Sequence, residues 1–349
     1  MKLGVRNAIF LGCCLAIAGL AARGLLLRPA FSGPRSFDAA RFSAPDFGTA
    51  VEQVDRAFAT HWKSAGVAPA PVAEDLTLAR RLSLALTGTI PSLEELRALE
   101  AQPPGERVQW WLSRLFEDRR YGDYLAERFA RMLVGVEDGP FLFFRRYRFT
   151  RWLSDRLMAN RPYDEIVREL ITAEGIWTSR PEVNFMTVTV DPNADEKELD
   201  PVKLAGRVSK AFLGVRLDCV ECHDDFLGGP WKQKDFHQLA AFFAPSEMSL
   251  TGVRDNEART YEHRYLGQGE RAPVPAQVPF QDALLPCDGP LRARLGTWVT
   301  HPDNRPFARA LVNRVWALLF NRPLHSPVDN LPLDGPFPPG LEALADDLI

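Results

Sequence analysis

Cys219, Cys222 and His223, in the stretch LDCVECHDDF (residues 217–226), have the residue types and spacing of a c-type haem attachment site. Two thiols three positions apart can each bond to one vinyl group of a porphyrin, and the histidine that follows can ligate the iron as proximal ligand. On a helix, positions i and i+3 share a face, so this chemistry predicts a helical carrier for the pair. With five cysteines and six histidines in 349 residues, about one such chain in a thousand would contain CxxCH by chance. The same residues admit two other chemistries. Cys219 and Cys222 can close a structural disulfide in an oxidising compartment, or form half of a metal site. Zinc takes four ligands, and no second pair of suitable spacing exists, so His237, His263 or Asp224 would have to complete a mixed set. Haem also leaves a distal ligand to be found. Met248 and His237 are the candidates, with Met186 behind them, and none stands at a motif spacing.

Around the cysteines, Glu221, Asp224 and Asp225 form an acidic cluster that reads as a solvated helix end rather than a cation site. The sequence holds no G-x-S-x-G, P-loop, H-E-x-x-H or dinucleotide fingerprint, so it assigns no catalytic residue.

The elements that must position the motif are mainly helices. AVEQVDRAFATHW puts Val51, Val54, Phe58 and Trp62 on one stripe. LTLARRLSLALTGTIPSLEELRALEA gives two amphipathic segments broken at Gly88 and Pro91, with Ser92 placed to cap the second. Two longer runs, 106–135 and 146–175, repeat Trp, Leu and Phe at three- and four-residue steps, and these aromatics face a core. PVKLAGRVSKAFLGVRL leads directly into Cys219, and QKDFHQLAAFFA (233–244) follows it as a helix. FMTVTVD (185–191) alternates and predicts a short strand. PFARALVNRVWALLF (306–320) is a last helix with Pro306 at its start. The fold class is therefore mainly α: a helical domain (49–250) carrying CxxCH, a proline-rich linker (251–290), and a short helical second domain (291–349). Residues 29–48 read as a further linker.

Composition is ordinarily globular, and five cysteines are too few for a disulfide scaffold. The net charge of −3 gives no field for nucleic acid. Lys2 and Arg6 precede the apolar run 8–22, and RGLLLR follows it, so residues 1–28 read as a signal peptide or an N-terminal membrane anchor. Membrane association would run through residues 8–27, with Arg23 snorkelling. The expected location is the periplasm or cell envelope, where covalent haem attachment takes place.

Several segments resemble, in order, the planctomycete-type proteins that carry a DUF1549 (PSCyt2, cytochrome-like) domain followed by a DUF1553 (PSD1) domain. They are RRLSLALTGTIPSLEEL, RLFEDRRYGDYLAERFARMLVG, NRPYDEIVRELITAEG, AFLGVRLDCVECHDD with WKQKDFHQLAAFF, and HPDNRPFARALVNRVWALLFNRPLHSPVDNL. The resemblance implies a cytochrome-like protein that passes electrons to a redox partner through haem c held by Cys219, Cys222 and His223. It also implies that 291–349 is only the beginning of the second domain, which continues further in the family. His237 falls where members often carry an aromatic residue, which implies a core or surface role. The family commonly reads CHDHKFD or CHDHPFD, whereas this chain reads CHDDFLGGP, with Asp225 in place of the second histidine. If that histidine is a ligand in relatives, this chain lacks it. The alternative to electron transfer is a non-redox envelope binding or scaffold protein with a Cys219–Cys222 disulfide or metal half-site. An enzyme acting on exported polysaccharide has no support in the residues.

Overall fold

Caps and breakers divide the periodic runs of the sequence into separate helices. The computed structural model describes residues 10–16, 19, 37–136, 139, 142–191, 193, 197–226, 229–265 and 269–349. Most of the 1–28 stretch expected as signal or anchor lies outside the described residues. Among those described, no helix is long and apolar enough to cross a membrane.

Helix α1 (Pro45–Ser64) opens on a proline, whose missing N–H a first turn leaves unpaired anyway. It starts ahead of Thr49 and follows a 3-10 turn at Ala39–Ser43, so the end of the expected 29–48 linker is structured. Helix α2 (Asp75–Thr87) stops at Gly88, whose φ of +71° suits a residue without Cβ. Helix α3 (Leu93–Glu100) starts from Ser92 as its sequence predicts. The Ser92 hydroxyl accepts from the Glu95 N–H while the Glu95 carboxylate accepts from the Ser92 N–H. One periodic run becomes α4 (Arg107–Glu117) and α5 (Arg119–Val134), divided at Asp118, whose carboxylate accepts from the Arg120 N–H. Helices α6 (Arg146–Met158) and α7 (Tyr163–Thr172) follow.

The strand expected at 185–191 does not form. Asn184–Thr187 is a turn of helix, α8, after a 3-10 turn at Pro181–Val183. Asn184 is the reason locally: its Nδ2 donates to the Trp177 and Pro181 carbonyls at 2.9 and 2.8 Å, and its Oδ1 accepts from the Arg145 N–H. Phe185, Met186, Thr187, Thr189 and Val190 are all buried, so the alternation of residue types does not mark two faces of a sheet.

Helix α9 (Pro201–Phe212) ends near Gly214 (φ +63°), and the chain turns through the motif into α10 (Gln233–Ala240). The 251–290 stretch, expected as a linker, is laid against the helices. Strands β1 (Ser246–Ser249) and β2 (Gly252–Asp255) pair antiparallel, and β3 (Glu262–His263) pairs with β4 (Ala272–Pro273). Val253, Val274 and Val278 from this stretch are buried. Single apolar side chains between prolines carry no period, which is why composition alone reads them as a connector.

Helices α11 (Leu291–Val299), α12 (Arg305–Phe320) and α13 (Leu341–Leu348) complete the chain. They do not stand apart from the rest. Helix α11 packs on α7, α12 on α9, and α13 on α1. Leu295, Trp298 and Phe307 share one core with Phe149, Phe212 and Phe236. Fully burying each such side chain contributes about 1.5–3 kcal/mol. Arg292, 1% exposed, ties the segments together. Its guanidinium donates to the Ile171 and Ala173 carbonyls, both at 2.9 Å, and pairs with Asp255 at 2.8 Å.

Candidate functional site: the CxxCH turn and its clamp

Two buried apolar residues anchor the motif. Leu217 and Val220 are 0% and 1% exposed, and between them the chain makes a 3-10 turn over Asp218–Val220. The helical carrier expected for the cysteines is thus a single tight turn, with Cys219 in it and Cys222 just beyond. Gly214 ends α9 too early for one helix to run through both. With their neighbours pinned inward, Cys219, Cys222 and His223 are all exposed, and both cysteines are free thiols. The Asp218 carboxylate pairs with Lys210 on α9 at 2.7 Å.

His223 is oriented by its own backbone. Its Nδ1 meets the Asp224 carbonyl oxygen at 2.8 Å, so Nδ1–H donates there and Nε2 is the nitrogen left for another partner. The exposed Phe226 ring lies 5.2 Å from the imidazole.

Helix α10 clamps the turn from the other side. The Glu221 carbonyl, between the two cysteines, accepts from Gln233 Nε2 at 3.0 Å and from His237 Nε2 at 2.9 Å. The Asp224 carboxylate accepts from the Gln233 backbone N–H at 2.8 Å, and Asp225 N–H donates to the Trp231 carbonyl at 3.0 Å. Of the acidic cluster, Asp224 therefore serves as a structural acceptor, and Asp225 closes the loop through its backbone.

His237 is a core residue. It is 1% exposed and both ring nitrogens are engaged. Nε2–H donates to the Glu221 carbonyl, so Nδ1 is the acceptor of the Tyr261 hydroxyl at 2.8 Å. His263, on β3, stacks on the ring with centroids 3.4 Å apart, and Tyr265 packs edge-on against both imidazoles. Burial, with the neighbouring His263 adding to it, pushes the His237 pKa down to about 4. Burial likewise raises Tyr261 to about 12. The result is a neutral relay, Tyr261 to His237 to the motif backbone, and it uses the stretch expected as a linker. Met248 lies on β1 opposite Val253 and packs against the core, while Met186 is fully buried. Among the described residues, no three or more His, Cys, Asp or Glu side chains are grouped to hold a metal ion. Sequence spacing had no means of finding Gln233 and Tyr261, because their contacts close across loops.

Residues 53–248 match the family model PSCyt2, a protein of unknown function (DUF1549), and residues 291–349 match PSD1, a protein of unknown function (DUF1553). No curated protein and no solved structure is similar to the chain.

Proposed function

The chain belongs to the PSCyt2 (DUF1549) family, and we propose that it is an exported electron-transfer protein of the cell envelope carrying haem c on Cys219 and Cys222. His223 is the proximal ligand in this reading. One observation carries it. Two exposed free thiols and an exposed imidazole share a short turn, and the imidazole's Nδ1 is already committed to a backbone carbonyl at 2.8 Å. A metal-bound histidine takes this arrangement: the second nitrogen donates to a carbonyl, which fixes the tautomer and the ring's orientation. The residues present therefore fit a haem. Haem would supply a one-electron couple, and the protein would supply attachment, orientation and a rigid base.

The rest of the turn suits that role. The Glu221 carbonyl is held by two donors from α10, so the spacing of the thiols is set before any group is attached. Export would bring the thiols to the compartment where haem is joined to such motifs, through the leader expected at residues 1–28.

The test is expression in a host with cytochrome c maturation. The expected result is a Soret band and a haem stain that survives SDS, both lost in the Cys219→Ser, Cys222→Ser double variant. A colourless protein whose mass is two hydrogen atoms short of the reduced chain would overturn the reading in favour of a Cys219–Cys222 disulfide.

A further inference from the structure

A cleft of about 610 Å³ lies between α5 and α9, and none of Cys219, Cys222 and His223 lines it. Its lining is mostly charged. Three of its cations have carboxylate partners: Arg131 pairs with Glu127 at 3.2 Å, Lys203 with Asp200 at 3.4 Å, and Lys210 with Asp218 at 2.7 Å. One charge of each sign is left over. Arg207 and Glu221 both face the cleft, and among the described residues neither has an ion-pair partner.

The two stand on different elements. Arg207 is on α9, and its Nη1 donates at 3.0 Å to the Leu133 carbonyl in the last turn of α5, which fixes the guanidinium at the cleft wall. Burial works against its charge and lowers its pKa from the ordinary guanidinium value. The group stays protonated all the same, so an anion that meets it offsets the cost of burying the charge. Its remaining donors form a planar fork that matches a carboxylate. Glu221 is on the motif turn and exposed. Its backbone carbonyl is held by Gln233 and His237, which fixes the point from which its carboxylate reaches the cleft.

We propose that this cleft binds a short zwitterionic peptide, with its C-terminal carboxylate on Arg207 and its N-terminal ammonium on Glu221. The site goes beyond the haem reading and stands without it. Charge balance selects the class of ligand. Once Glu127 is included, every charge around the cleft but these two is matched by one of opposite sign, so a ligand of net charge would leave one of them uncompensated. A zwitterion answers both. Capture of chain termini by fixed polar groups is a recurrent mode of peptide recognition. The volume is that of sites for ligands larger than one free amino acid. Met132 and Val202, partly exposed, give peptide side chains apolar contact, while Phe236, 0% exposed, serves only as the floor.

The experiment is calorimetric titration of the full chain, with its thiols reduced and no haem attached, by the dipeptide alanyl-leucine, by its C-terminal amide and by its N-acetyl form. The amide should bind about ten- to a hundredfold more weakly, because it gives up a charge-assisted pair with a half-buried guanidinium. The N-acetyl form should lose only about two- to fivefold, because Glu221 is exposed. Arg207→Gln should erase the discrimination against the amide and keep that against the N-acetyl form, and Glu221→Gln should do the reverse. Side chains with a purely structural role would weaken all three ligands alike or none. The comparison of ligands on the unaltered chain does not depend on any variant folding. No binding of alanyl-leucine, equal affinity for it and its amide, or an unchanged preference in a folded Arg207→Gln chain would each overturn the proposal. A colourless product from the maturation host together with an intact preference for the free peptide would sink the haem reading and leave this site standing. Haem attachment without peptide binding would do the opposite.

Discussion

Lowering the pH from 7 to 4 is expected to remove about 3 kcal/mol of stability through His237 alone. In the folded chain the ring is neutral and its pKa is pushed down to about 4, against an ordinary value of 6.5 once unfolded. The unfolded chain therefore takes up the proton first. The contribution is complete above pH 6.5, falls through the window from 6.5 to about 4, and is gone below it. At about 1.36 kcal/mol per pH unit, that window corresponds to about 3 kcal/mol. The physical opposition to charging is burial, reinforced by the imidazole of His263 stacked 3.4 Å away. Tyr261 offers little resistance, because its hydroxyl can turn from donor to acceptor when Nδ1 gains a proton. The assay is urea unfolding at several pH values for the natural chain and for His237→Gln, whose amide keeps an N–H for the Glu221 carbonyl. Subtracting the two curves removes the carboxylates, which titrate in both proteins. The difference should slope by about 1.4 kcal/mol per pH unit below 6.5. A flat difference, or an NMR titration of the His237 ring centred near 6.5, would refute the reasoning.

Two other substitutions test how the scaffold is held. Arg292→Met removes a buried guanidinium and leaves the Asp255 carboxylate and the Ile171 and Ala173 carbonyls without it. It should cost about 3–5 kcal/mol in a urea titration, and the added Asp255→Asn change should recover part of the loss. A cost below about 1 kcal/mol would mean that the pair does not join the segments. Gly252 has φ +105°, and a Cβ there would stand 2.1 Å from the Gly175 carbonyl. Gly252→Ala should therefore cost about 3 kcal/mol or more. Gly66→Ala, also at positive φ but with nothing within 4 Å, should cost only about 1 kcal/mol. Equal shifts in melting temperature would show that backbone strain, not the close approach of β2 to Gly175, dominates at both.

Helical class was legible because its signals are local. Ser92 and Glu95 are three residues apart and make the cap their spacing implies, and Pro306 opens α12 as its missing N–H predicts. The motif was legible for the same reason, since five consecutive letters carry it. What the sequence hid is everything held by distance. The 185–191 segment alternates in residue type, yet its apolar and polar positions alike are buried from Phe185 to Thr187 and at Thr189 and Val190, so period two there reports no sheet face. Tyr261 reaches His237 across 24 positions, and Arg207 reaches Leu133 across 74. Neither pair has a spacing rule behind it. The proline-rich stretch misled for a related reason: a ribbon that buries one valine at a time has no periodicity to read.

The geometry divides the motif between two tasks. Its side chains Cys219, Cys222 and His223 face outward, while its backbone faces inward, with the Glu221 carbonyl held by Gln233 and His237. That division depends on both family segments. Helix α9, which leads into the turn, packs on α12, and the 3-10 turn that extends α10 packs on α9 and α11. Trp298 and Leu295 of α11 are 0% exposed within the same core that buries Leu217 and Val220. The second segment therefore serves the motif through the core that the two share. An exposed reactive turn on a base this deeply buried keeps its thiols at a fixed spacing, and rigid support is what a bound group needs if its orientation is to come from the protein.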